Sequence, residues 1–153
     1  MANVVFNISK GRVAELYDRV KSNDPANSAI ILVPLETSGL EADSVLIDAD
    51  TLTAVLAGAT NEQTTMGRKT LTDAELAAIP APDDTNDRNE RSLPTVTWTA
   101  ASGNAISKIL VCYDSDTTSG TDANIIPLTM FDFAQTPSGA DIQMTTGTFF
   151  RAS

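Results

Sequence analysis

The side chains in this chain that could do chemistry are mostly carboxylates. Asp83, Asp84, Asp87 and Glu90 form one cluster, and Asp114, Asp116 and Asp122 punctuate another stretch. Two carboxyls can divide acid and base work when an apolar pocket raises the pKa of one of them. These are flanked by Thr, Asn, Ser and Gly, so they read as solvated loop acids. The Asp114 to Asp122 stretch carries oxygens at alternate positions, as a calcium loop does. Its glycine falls one place late for an EF-hand, and Ile125 stands where the closing Glu belongs. Neither a metal nor a cofactor is expected.

The chain has no histidine, which removes Ser-His-Asp and Cys-His catalysis and every His-based metal site. There is no Walker loop, GxGxxG or GxSxG elbow. Cys112, the lone cysteine, lies in the apolar run Ile109-Leu-Val-Cys-Tyr113 and reads as a packed hydrophobe. Trp98 alternates with Thr97 and Thr99 and, with Val96, is expected in a core. Phe131, Phe133, Phe149 and Phe150 carry the same expectation. An enzyme is not expected.

The elements that must position these groups are mostly strands. Thr95 to Thr99, Ile106 to Tyr113, Ile125 to Phe133 and Ile142 to Phe150 read as four strands between Gly/Ser/Thr-rich turns. Val4 to Ile8 reads as a short strand with Ser9 as N-cap. Val13, Leu16, Tyr17 and Val20 then form one helical stripe, and Ala29 to Leu35 a strand interrupted late by Pro34, which suits an end or edge. Asp48 or Asp50 caps a short helix bearing Leu52, Val55 and Leu56, with Gly58 as its stop. Arg68 to Leu71 reads as a strand, and Thr72-Asp-Ala-Glu75 as a capping box. The expected fold is α+β, mainly β: an antiparallel, jelly-roll-like β-sandwich with an N-terminal strand-helix-strand element and short helices.

At 153 residues the chain suits a single domain. It divides into an α+β front half (1–79), a Pro-rich extended connector or arm (80–94) and a β-rich half (95–153). No apolar run approaches the roughly 20 residues of a membrane span, and the N-terminus does not read as a secretion signal. A membrane partner is not expected, and the cytoplasm is the expected site of synthesis. The formal charge is −10, and between Lys21 and Arg68 seven acids stand without one base. Direct nucleic-acid binding is disfavoured, because it draws on clustered Lys and Arg.

The segment Leu52-Thr-Ala-Val-Leu-Ala-Gly-Ala-Thr-Asn-Glu-Gln-Thr-Thr-Met-Gly-Arg-Lys-Thr-Leu-Thr72, then Asp83-Asp-Thr-Asn-Asp-Arg88, the Thr97-Trp-Thr strand and the Gly147 to Ser153 ending resemble a group of small proteins from the head genes of tailed bacteriophages. That group's LAG-AT, RKTL, DDTN-R, TW/F-A and FR elements recur in this order. An additional Asp73 to Pro80 segment separates the second from the third. The resemblance implies a virion structural protein, a capsid decoration or cement protein on the outer shell. Its partners would be the major capsid protein and further copies of itself, as dimer or trimer. The alternative is a head or tail fibre component, or a glycan-binding module using Trp98 and the Asp114 to Asp122 loop. A cell-wall hydrolase using the Asp83 to Glu90 carboxylates ranks third. Candidate contacts are Val4, Val5 and Phe6 as an edge strand, and Arg88, Arg91 and Leu93 as an arm.

Overall fold

The structure, a computed structural model, describes residues 3–79, 83, 85 and 89–152. The described strands are β1 (Asn3–Val5), β2 (Ala29–Glu36), β3 (Lys69–Leu71), β4 (Asn89–Leu93), β5 (Val96–Trp98), β6 (Ile106–Asp114), β7 (Ile126–Gln135), β8 (Ile142–Met144) and β9 (Gly147–Ala152). The helices are α1 (Val13–Lys21), α2 (Asp43–Leu46), α3 (Leu52–Val55) and α4 (Asp73–Leu76). The fold is α+β and mainly β, with antiparallel pairing throughout.

A five-stranded sheet in the order β1-β7-β6-β2-β3 is the central layer. Alternation along each strand divides its side chains between two apolar clusters. Ile30, Leu32, Ile109, Val111, Leu128 and Phe131 meet α1, α4 and the strands β4, β5, β8 and β9. Ile31, Val33, Leu110, Cys112 and Met130 meet α2, α3 and Phe6 on the other face. With both faces covered, β2 is one continuous apolar run and not an alternating one. The strand-helix-strand opening is present, but β7 and β6 lie between β1 and β2.

Pro34 lies within β2, opposite Ile109 of β6. Its carbonyl accepts from the Gln63 N–H at 2.9 Å. A strand residue's N–H and C=O share a side, so the missing N–H faces away from β6, past the end of β3, and costs the sheet no ladder bond. Locally this is the edge position that the proline implies.

The stretch expected as one strand from Ile142 to Phe150 is two. β8 pairs with β5 and β9 pairs with β4, so residues 89–98 and 142–152 run as one antiparallel ribbon broken in its middle. Pro94, without an N–H, stands at the break. There Thr95 Oγ1 accepts from the Thr146 N–H at 3.1 Å in place of a ladder bond. Residues 89–93, expected as arm, therefore belong to the sandwich's second layer. Arg91 and Leu93 point inward, whereas Arg88 lies outside the described residues.

Helix α1 begins later than expected, with Arg12 and not Ser9 at its N-cap. Ser9 is buried in a 3-10 turn (Asn7–Ser9), and its hydroxyl donates to the Pro127 carbonyl. Thr51 caps α3 in place of either aspartate, accepting from the Ala54 N–H at 3.1 Å. Gly58 serves a different end than expected: a Cβ there would sit 2.4 Å from a Glu41 carboxylate oxygen. The Thr72 capping box is present, with Glu75 accepting from the Thr72 N–H at 2.7 Å.

Candidate functional site

β1 stands at the end of the five-stranded sheet, as an edge strand. It pairs with β7 through Asn3–Phe131, Val4–Met130 and Val5–Thr129, and the Phe6 N–H donates to the Leu128 carbonyl at 3.0 Å. Backbone groups alternate sides in such a ladder, so those of Val4 face β7 while those of Asn3 and Val5 face outward. Among the described residues no strand pairs with that outer edge. Val4 and Val5 are half-buried, whereas Phe6 is fully buried in the cluster under α2. Of the expected edge contacts, Phe6 is therefore core.

A groove of about 330 Å³ opens beside Val5 and is lined by Thr148, Phe149, Phe150 and Arg151 of β9. Across β1, the Asn7 N–H donates to the Ile47 carbonyl at 2.9 Å, and the Asn7 amide reaches Asp48. The 3-10 turn and the end of α2 are thereby joined. They carry Ile8 and Val45, the large apolar side chains left exposed among the described residues, at 36% and 56%.

The two expected arm contacts that are described, Arg91 and Leu93, are withdrawn from the surface. Leu93 is in the core, and Arg91 is buried against α1, donating to Asp18 at 2.6 Å with its guanidinium 5.9 Å from the Tyr17 ring. Tyr17 in turn donates to the Ser92 carbonyl at 2.7 Å, and burial pushes its hydroxyl up to about 12. Period-two spacing of Arg91 and Leu93 was the available signal. Three prolines and mixed charge outweighed it.

A second cation, half-buried, joins two loops. Arg68 donates to Glu62 at 2.7 and 2.6 Å and to Asp122 at 2.6 and 2.8 Å. Its guanidinium holds the Asp122 carboxyl below the usual carboxylate range. Next to it, Trp98 is buried and its indole N–H donates to the Gly67 carbonyl at 3.0 Å, leaving no ring face for a sugar. Gln63, also buried, donates to the Asn104 carbonyl at 2.9 Å and accepts from the Thr65 N–H. These polar groups join loops to strands.

Of the acids at the β6–β7 loop, Asp122 is held by Arg68, while Asp114 and Asp116 are engaged locally. Asp114, expected as a solvated loop acid, is buried, because β6 extends to include it, and it accepts from the Asp116 N–H at 3.0 Å. Asp116 accepts from the Thr118 and Ser119 hydroxyls, which hold its carboxyl low. Among the described residues no cluster of three or more His, Cys, Asp or Glu is arranged to hold a metal ion. Cys112 is fully buried, and burial pushes its thiol well up. Of the other cluster, Asp83 and Glu90 are described and Asp84 and Asp87 are not. The chain matches no family model, and comparison with curated proteins and with solved structures finds no match.

Proposed function

We propose that this chain is a structural component of a tailed-bacteriophage head: a decoration or cement protein that lies on the outside of the icosahedral shell, contacts the major capsid protein and self-associates. The observation that carries the reading is the open edge of β1, flanked by a groove and two exposed apolar side chains. An open strand edge is a backbone template for another chain. The resemblance adds support through the positions of its motifs. LAG-AT follows directly on α3, RKTL contains β3, TWT overlaps β5 and the FR ending lies within β9, while most of DDTN-R lies outside the described residues. Arg68 and Trp98, each within a motif, tie the loop 58–68 to β5 and to the β6–β7 loop. Such residues maintain a shape. The glycan-binding alternative relied on Trp98, whose ring is inside the core.

Mass spectrometry of purified particles of the encoding phage, with antibody labelling of intact heads, tests the reading. The expected result is a multicopy protein accessible on unbroken particles. Its absence from purified particles would overturn the assignment.

A further inference from the structure

The two faces of the β1 edge differ chemically. On the side of Val5, the groove is lined by Phe149 and Phe150, and its one base, Arg151, is paired with Glu90 at 3.4 Å. On the side of Val4 lie the 3-10 turn and α2, with Ile8 and Val45 exposed and with Asp43 and Asp48 on the same elements. No Lys or Arg occurs between Lys21 and Arg68. Lys108, the base that reaches Asp43, also serves Asp132. Lys10, just past the turn, is exposed. The acids of this side, Asp43, Asp48 and Asp132, thus outnumber Lys10 and Lys108, and the groove side is the more apolar of the two, its one base already paired.

A strand laid along β1 sends alternate side chains to these two sides. We infer that the outer edge of β1 takes up an extended segment of a partner protein in which apolar and basic residues alternate. The apolar set enters the groove beside Val5 and Phe150. The basic set lays its methylene stems over Ile8 and Val45 and brings its charges to Asp48 and Asp43. The outward backbone groups of Asn3 and Val5 supply the ladder. A second copy fits less well at this edge, because β1 carries no base and the copy would bring its own Asp43 and Asp48. This inference rests on the proposed structural role for the partner's identity, the shell protein, but its chemistry can be tested without the particle.

The test uses fluorescein-labelled synthetic hexapeptides alternating Lys and Val, followed by fluorescence anisotropy on the full chain. Three probes are compared: the Lys-Val peptide, a Glu-Val peptide, and a Lys-Val peptide N-methylated at alternate residues, which keeps its charge but cannot form a ladder. The Lys-Val peptide is expected to bind at least about tenfold more tightly than either of the others, and to weaken as salt rises from about 50 to 500 mM. Val5→Pro removes an outward N–H at a position where an edge strand tolerates proline, and is expected to lower affinity by about tenfold. Val45→Ser removes the apolar support without adding a charge and is expected to do the same while leaving the thermal midpoint unchanged. Equal binding of the N-methylated and unmodified peptides would overturn the inference, and that comparison uses the unaltered protein. So would preferential binding of the Glu-Val peptide, or peptide-independent dimerisation abolished by Val5→Pro. Failure here with the chain present on particles overturns this edge alone; binding here with the chain absent from particles overturns the proposed function alone.

Discussion

Arg68 is the residue on which the loop 58–68 and the β6–β7 loop converge, and its loss would leave Glu62 nearly buried without a partner. Because the guanidinium retains some exposure, Arg68→Ala is expected to cost about 1–3 kcal/mol, less than a fully buried pair, measured by urea unfolding. Asp122, whose folded pKa is depressed by Arg68, stabilises the fold above the unfolded carboxyl value of about 4. That contribution is lost as pH falls through the lower folded value. The unfolding free energy of the wild type should therefore drop on acidification below about pH 4, and Arg68→Ala should show a shallower acid limb; equal limbs would contradict the coupling. At the alkaline end, the chain's two tyrosines, Tyr17 and Tyr113, are both raised by burial, Tyr17 to about 12. Stability from the neutral phenols is complete below the unfolded value of about 10 and is lost as pH rises through the folded values. Absorbance at 295 nm should show no native tyrosine half-ionised at pH 10.

At the scale of elements, Arg91 ties the β4–β9 ribbon to α1, and the two ends of its ion pair are unequal. The Arg91 side chain is 6% exposed and that of Asp18 is 51% exposed. Arg91→Ala should therefore destabilise by about 2–4 kcal/mol, through a lost pair and a void beneath Tyr17, whereas Asp18→Asn should cost about 1 kcal/mol or less. Equal penalties in chemical denaturation would contradict this packing. Helix α1 was legible because four apolar residues repeat at helical spacing, and β6 and β7 because long apolar runs fall between turn signals. β4 was not, since a buried arginine in a Pro-rich, charged stretch imitates a solvated arm until its partner on α1 is known. The division of β8 from β9 depends on which strand each half pairs with, a long-range fact that local alternation does not carry. Helix α2, at four residues, is too short to display a period.

Across the whole molecule, one face of the sheet is covered by a stretch without bases and the other by α1 with Arg12, Arg19 and Lys21. Bases and acids are mixed on the α1 side, where Arg12 and Arg19 both pair with Glu15, and the open edge lies at the rim of the side covered by the base-free 22–67 stretch. Part of that edge was legible: Val4 and Val5 read as a short strand, and they lie at the end of the sheet. Phe6 was misassigned because it continues the ladder to β7 on the same side as Val4, where the cluster under α2 covers its ring. Ile8 and Val45 became visible only once Asn7 was found bonded to Ile47, residues far apart in sequence. If the proposed head role holds, salt should weaken attachment of the chain to the shell, as expected for a contact between an acidic rim and a basic partner, and release from particles into high-salt buffer would check this. The most direct measurement of the proposed role is a cryo-electron microscopy reconstruction of the phage head to which the proposal assigns this chain. The account predicts density for this sandwich on the outer surface, with β1 against the major capsid protein. Density inside the shell or at the tail, or particles lacking the chain, would contradict it.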